Sequence, residues 1–360
     1  YERRIVGIGD LHGDLPNARK VLQMTDVIDE HGHWTGKVDF LVQTGDIIGD
    51  DTIALFEMME RLRVEARAKG GVILSNLGNH EWMNAIGDWR YVYESEIKTF
   101  GGVEARQAAL SSTGWLGRAW AQNYTVTTRL PLHPSLGGPN TDYSPPVPFS
   151  NHQSHFNDSI SHAALSFVHG GLAPNFPYLT PYPSNINGIG KSLLYKLQHR
   201  PQPPPSPPNP YPGLPASATA AEQYLYAGDG PLWYRGWAMD DEAVACEKVD
   251  EVLEKTGTRR LIMGHTPTFT NIVSRCGGKV IIIDTGISHA YGGVLSGLSI
   301  TYSLHRLDAK GEPVAKRDGK HGSSSSAQRW LEIEKVVAVY NDKSRLLTEE
   351  RRTLTGDYGV

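Results

Sequence analysis

The sequence predicts an α/β layered fold, and three observations carry that expectation. Six short apolar, β-branched runs read as buried strands, helix-like segments lie between several of them, and each run stops at a polar residue able to bind a metal or move a proton. The strand runs are, in order, Arg4–Gly9 leading into Asp10, Val38–Thr44 into Asp46, and Gly71–Leu77 into Asn79 and His80. They continue with Ala163–Val168 into His169, Arg260–Met263 into His265, and Lys279–Ile283 into Asp284. The helix-like partners are Leu15–Met24, Thr52–Lys69, Glu104–Leu110 and Asp240–Lys255. Polar residues at the ends of successive buried strands mark the usual place for an α/β active site.

The 360 residues carry a formal net charge of -4 and are 39% hydrophobic, an ordinary globular composition. The near-neutral balance offers no basic stripe, so nucleic acid is not expected as a partner. No stretch is long and apolar enough to span a bilayer. The chain starts at Tyr1 without an initiator Met, which points to a removed upstream leader or anchor. Cys246 and Cys276 fit either two inert thiols of a cytosolic protein or one disulfide of an oxidising compartment. The sequons at Asn123 and Asn157 tip the balance towards a secretory or organellar location.

Two insertions are expected, at about 131–160 and 181–222. The first centres on the Pro-, Gly-, Ser- and Asn-rich run Pro131–Asn151, the second on the Pro-rich run Pro201–Ser217. The second is expected to be extended and polyproline-like, either a partner-binding or lid segment or a tolerated surface insertion. A Gly-Ser patch, Gly322–Ser326, precedes a terminal segment expected to add an edge strand over Leu331–Tyr340.

The chemistry sits in five clusters. In Gly9-Asp10-Leu11-His12-Gly13-Asp14, strand alternation points Asp10 and His12 to one side, where a carboxylate and an imidazole make half a metal site. In Gly45-Asp46, the two oxygens of Asp46 can bridge two cations. Gly78-Asn79-His80-Glu81 offers a neutral oxygen ligand from Asn79 and a His free to act as an acid or to bind phosphate. Val168-His169-Gly170-Gly171 and Gly264-His265-Thr266-Pro267 each add one strand-terminal His. A lone His is most often a satisfied core or surface residue; two in this setting complete a ligand set.

These five motifs, in this order, resemble the calcineurin-like metallophosphatase superfamily. The flanks Gly78–Asn84, Leu232–Trp237 and Gly264–Ile287 are closer still to the Shewanella-like protein phosphatases of the phosphoprotein phosphatase group, and the likeness covers about residues 4–306. The resemblance implies a four-layer α/β/β/α sandwich of two mixed sheets with helices outside, a catalytic domain over 1–310, and a linker and extension over 311–360 packing on or near it. It implies hydrolysis of phosphate monoesters, with a phosphoprotein or phosphopeptide as substrate, by a water activated between two divalent metals (Mn, or Fe, Zn or Mg). One metal is expected on Asp10, His12 and bridging Asp46, the other on Asp46, Asn79, His169 and His265. His80 is expected to protonate the leaving oxygen and Arg235 to clamp phosphate oxygens. A small-molecule phosphoesterase and a catalytically silent metal-binding scaffold with a Pro-rich interaction loop are the alternatives.

One motif departs from the family. Its second motif reads Gly-Asp-x-x-Asp-Arg-Gly, whereas this chain reads Gly45-Asp46-Ile47-Ile48-Gly49-Asp50-Asp51. The Asp that orients the acid His and the Arg that touches phosphate are both missing. Asp50 or Asp51 can stand in for the carboxylate, and no residue stands out as a replacement for the Arg. Leu77 also occupies a position that is Arg in many Ser/Thr phosphatases of the group. Either the pair is lost from the sequence as written, or the loop is shortened at a cost in activity, or the pocket is remodelled. Asp284 reads as a turn residue or as support for a ligand His, and Tyr291 as an aromatic near the phosphate pocket or as packing.

Overall fold

A computed structural model describes residues 1–143, 160–314 and 328–359. The chain runs β1 (Glu2–Ile8), α1 (Leu15–Met24), β2 (Phe40–Gln43), α2 (Thr52–Ala68), β3 (Val72–Asn76) and α3 (Asn79–Ile86). It continues through α4 (Glu94–Phe100), α5 (Val103–Leu110), α6 (Trp115–Asn123), β4 (Tyr124–Thr125), β5 (Thr127–Pro131), β6 (Ala164–Val168), α7 (Ser184–His199) and α8 (Ala220–Tyr226). The remainder is α9 (Gly236–Met239), α10 (Glu242–Thr256), β7 (Arg260–Met263), β8 (Val273–Arg275), β9 (Val280–Ile282), β10 (Ser296–Arg306), β11 (Arg329–Tyr340) and β12 (Ser344–Thr355). Each of the six apolar runs is a strand.

The strands form two mixed sheets, ordered β12-β11-β10-β1-β2-β3-β4 and β5-β6-β7-β9-β8. Their alternating side chains build the layers. Ile5 and Val42 of the first sheet meet Phe167, Ile262 and Ile281 of the second in one buried cluster. Their sequence neighbours Val6, Ile8, Leu41, Leu261 and Ile282 turn the other way and pack with residues of α1, α2 and α10. This is the α/β/β/α sandwich. Strands β1, β2 and β3 are mutually parallel, as are β6, β7 and β9, so their C-terminal ends gather at one edge of each sheet.

Two features add to or correct these expectations. First, the span 181–222, expected as an insertion, contains α7, which places Ile186, Leu193, Leu194 and Leu197 in the core. Its helical period is masked in the sequence by Asn and Gly residues of low helix propensity. One of them, Gly190, is there for space, since a Cβ would lie 2.3 Å from Val126. Second, the strand over Leu331–Tyr340 is not the edge: β12 turns back and pairs outside β11. The Pro-rich run packs its first half against the turn after α3, where Ser206 pairs with Asp88. The Asn157 sequon and the Gly322–Ser326 patch lie outside the described residues. The Asn123 amide is engaged, donating to Glu60 Oε2 at 2.9 Å. Cys246 and Cys276 form a disulfide with their Cα atoms 5.1 Å apart. Among the described residues no helix is long and apolar enough to cross a membrane.

The C-terminal strands are tied to the second sheet by charge. Arg260 of β7, 1% exposed, donates Nε to Glu334 Oε1 at 2.6 Å and Nη2 to Glu350 Oε1 at 2.8 Å, while Arg259 reaches Glu332 at 2.8 Å and Glu334 at 3.2 Å. Removing Glu334 leaves the buried Arg260 and Arg259 short of a partner with little access to water. Glu334→Ala should therefore destabilise the protein by about 3–5 kcal/mol in denaturant unfolding, far more than loss of an exposed pair such as Lys98–Glu94.

Candidate metal centre

The gathered strand ends deliver one polar residue after another. Asp10 and His12 follow β1, Asp46 follows β2, Asn79 and His80 open α3 after β3, His169 follows β6 and His265 follows β7. Three of these, His12 (φ 42°), Asp46 (φ 55°) and His265 (φ 66°), hold the left-handed backbone conformation that side-chain-bearing residues avoid. Surrounding bonds maintain it. The amides of Leu11 and His12 donate to Asp46 O at 3.0 and 2.9 Å, and the His265 amide donates to the Asp10 carboxylate at 3.1 Å. Glycine makes the close approaches possible: a Cβ at Gly78 would fall 2.1 Å from Asp46 Oδ1, and one at Gly264 would fall 2.2 Å from Asp10 Oδ1.

Asp46 is the centre. Its Oδ2 lies 3.3 Å from His169 Nε2, 3.8 Å from His12 Nε2 and 3.9 Å from His80 Nε2, and its Oδ1 accepts the His80 amide at 2.9 Å. Asp10 Oδ2 lies 3.9 Å from His12 Nε2, and His169 Nε2 lies 2.6 Å from Asn79 Oδ1. The Nδ1 of His169 faces the Thr44 carbonyl at 3.1 Å, so the tautomer with Nδ1–H donating aims the Nε2 lone pair inward. Burial drives the imidazoles of His12 and His265 down to about 3 and about 2, so both are neutral and free to coordinate. Burial opposes ionisation of Asp46, but His169 and His80 outweigh it and hold its carboxyl well below the usual range. Asp10 goes the other way, raised by burial and then by Asp284 and Asp46.

Glu81 organises the loops behind these residues. Its Oε2 accepts the amides of Asp46 at 2.8 Å and Gly78 at 2.7 Å, and its Oε1 accepts those of Ile47 at 2.8 Å and Ile48 at 3.0 Å. One buried carboxylate thus pins the turn after β2 to the turn after β3. Burial and the nearby Asp46 raise it to about 7, and the amide donors pull against that rise. Asp284 caps the Gly286 amide at 2.9 Å, as a turn residue does, and also lies buried against Asp10, its carboxyl raised to about 6 by burial.

A cavity of about 520 Å³ opens onto His12 and His80. Four rings line one side in a row: Tyr291 stacks on His12 at 4.4 Å, His12 meets His80 edge-on at 4.7 Å, and His80 stacks on Tyr91 at 5.2 Å. Asp50 lines the same cavity but is not brought to His80; it is exposed and accepts from Ser95 Oγ at 3.0 Å. The shortened loop explains this. Gly13 and Gly49 abut so closely that a Cβ on Gly13 would sit 2.2 Å from Gly49 C, and α2 begins at once, turning Asp50 outward. Arg235 lies on the His265 side, where its Nη1 donates to His265 O at 2.7 Å and Thr266 Oγ1 at 3.1 Å.

The donor set fits divalent cations. The clusters His12–Asp46–His80 and Asp46–His169–His265 each bring their ligand atoms within 4.8 Å of one another. The Nε2 of His265 is buried with no hydrogen-bond partner. Four carboxyl groups, Asp10, Asp46, Glu81 and Asp284, are buried in one small volume, a concentration of charge that divalent cations would offset without proton uptake. Carboxylate, amide and imidazole together suit borderline and hard divalent ions. The sequence reading did not assign Glu81 or Thr44 a role. Glu81 was in view two residues beyond Asn79; nothing in sequence marks a backbone carbonyl as the orienter of His169.

A two-sheet sandwich with paired His–Asp clusters at its strand ends defines a metal-dependent hydrolase. Residues 3–269 match the calcineurin-like phosphoesterase family, and the chain belongs to that family. An uncharacterized protein of Schizosaccharomyces pombe is 34% identical over 310 residues, 84% of this chain and 78% of that protein. Shewanella-like protein phosphatase 2 of Arabidopsis thaliana is 27% identical over 79% of this chain and 71% of its own length. The crystal structure of the cold-active protein-tyrosine phosphatase of a psychrophilic Shewanella superposes with a TM-score of 0.62 at 18% identity, covering 96% of this chain and 80% of that one. That likeness confirms the fold.

Replacing Glu81 by Gln leaves one good acceptor for four amides and puts an N–H against N–H groups. Metal affinity should fall roughly 10–100-fold in calorimetric titration with Mn²⁺, although Glu81 reaches only the backbone of Asp46 and is not itself in the candidate ligand set. Asp46→Asn should weaken both sites together. Loss of one ion with the other retained would remove Asp46 from the bridging position.

Proposed function

We propose that the chain is a phosphoprotein phosphatase, hydrolysing phosphate monoesters on protein or peptide side chains with two divalent cations. The single observation that carries this reading is the convergence of Asp10, His12, Asp46, Asn79, His169 and His265 from five parallel strand ends around one central carboxylate. One ion would be held by Asp10, His12 and Asp46, the other by Asp46, Asn79, His169 and His265. Mn is the first candidate, with Fe, Zn and Mg compatible with the same donors. When bound, such ions supply Lewis-acid charge for the phosphoryl oxygens and an activated water.

The chain's own groups do the rest. His80 stands at the cavity, its backbone fixed by Asp46 and its ring held between His12 and Tyr91, placed to donate a proton to the departing alkoxide. Arg235 braces the His265 loop and brings positive charge to that flank. The exposed rings of Tyr91 and Tyr93 on the rim favour a side chain presented by a protein over a small molecule enclosed in a pocket. The names of the relatives support the same substrate class. We also propose that the protein works in an oxidising compartment, which the Cys246–Cys276 disulfide supports; peptide mapping that finds both thiols free in protein from its natural source counts against it.

Metal-stripped protein should be inactive towards p-nitrophenyl phosphate and phosphopeptides and should regain both activities as about two ions per chain are restored. His80→Asn should keep its metals and lose roughly 10²-fold or more on phosphoserine peptide, where the leaving group needs a proton, with a much smaller loss on p-nitrophenyl phosphate. Equal losses on the two substrates would exclude His80 as the acid.

A further inference from the structure

The second motif lacks the Arg that the family resemblance implies at the phosphate, and the abutment of Gly13 on Gly49 leaves no room for a side chain at either glycine. The cavity beside His80 is otherwise acidic, lined by Asp14, Asp50 and Asp51. Among the described residues that line it, one guanidinium or ammonium group is present, that of Arg90. Besides bound cations and the histidines, Arg90 is, among the described residues of this wall, the group able to bring positive charge to an anionic substrate.

Arg90 is held for such a task. Its Nε and Nη2 donate side by side to the two oxygens of Asp88, at 2.9 and 2.7 Å, and Asp88 is buried while the Arg90 side chain is 54% exposed. This fork-to-carboxylate pairing consumes one face of the guanidinium and leaves its remaining donors outward. The next residue, Tyr91, carries the ring that stacks on His80. One short turn therefore sets a fixed guanidinium beside the ring that backs the acid.

The turn is braced from outside. Pro203–Pro208 contains a single residue with a backbone N–H, Ser206, and that N–H donates to Gly87 O at 2.9 Å while Ser206 O accepts from the Trp89 amide at 2.7 Å. Arg200 Nη2 donates to Ile86 O at 2.6 Å, and Gln107 Nε2 to Pro203 O at 2.8 Å. Proline restricts the unpaired chain, so the loop arrives with little entropy left to lose. We infer that Arg90 is the substrate-phosphate-binding residue on the His80 side of the site, in place of the missing motif Arg, and that the Pro-rich loop is the brace that positions it through Asp88. This rests on the phosphoester reading above.

Inorganic phosphate is the probe. Calorimetric titration of metal-loaded wild type, Arg90→Ala, Arg90→Lys and Ser206→Pro, with metal counted in each, separates the two readings because it needs no turnover. Metal content should be unchanged, and phosphate Kd should rise roughly tenfold or more in Arg90→Ala, less in Arg90→Lys, which keeps the charge but not the fork. Ser206→Pro removes the N–H of the brace and should weaken phosphate through position alone. In kinetics with p-nitrophenyl phosphate, KM should rise more than kcat falls. A phosphate Kd in Arg90→Ala within about twofold of wild type, or no phosphate binding by the wild type, overturns the inference. Arg90-dependent phosphate binding in a protein that hydrolyses no phosphoester sustains it and overturns the phosphatase reading instead.

Discussion

The two turns that present Asp46, Asn79 and His80 hang on one buried carboxylate. Glu81 accepts four backbone amides, two from the turn after β2 and one each from Asp46 itself and Gly78. Without it those donors would be buried and unpaired, each a cost comparable to a lost hydrogen bond. With it, the left-handed turn at Asp46 is locked against the start of α3, so the position of the central carboxylate and that of Asn79 and His80 are no longer independent. The energetic liability is plain: a fourth carboxyl is buried beside three others. That liability is offset locally by amide dipoles, and it is tolerable in a site whose whole design concentrates negative charge for cations.

Much of this was legible in the sequence, for a definite reason. Strands buried on both faces are continuous apolar runs, and a ligand at the end of such a run interrupts it with a residue that has no business in a core. The candidate ligands Asp10, Asp46, Asn79, His169 and His265 all stand out this way. Leu15–Met24, expected as helix-like, is a helix, and the structure caps it with Asp14, whose side chain accepts from the Asn17 amide.

What stayed hidden depended on contacts between segments distant in sequence. No local signal tells that Glu81 reaches back over thirty residues, that Thr44 orients His169, or that Asp50 turns to Ser95 rather than His80. For the Pro-rich run, sequence left a partner-binding or lid segment and a tolerated surface insertion both open, because composition describes what a segment can do alone, not what it leans on. α7 was obscured by glycine and asparagine, whose presence serves close packing on Val126 and the hydrogen bonds of Asn187 to the backbone of Val126 and Thr127. Tertiary context overrode propensity at each of these places.

The sheet order carries a lesson about synthesis. Strand β1, which presents Asp10 and His12, lies between β2 and β10, and its first residue pairs with Ser303. Strand β1 therefore has one edge covered only by a segment far along the sequence. Such long-range pairing folds slowly, and until β10 arrives a growing chain exposes an open, hydrogen-bond-hungry strand edge. Asp10 and His12 thus follow a strand whose second edge is covered by a segment about 300 residues further along, so their placement is tied to the most long-range pairing of the sheet.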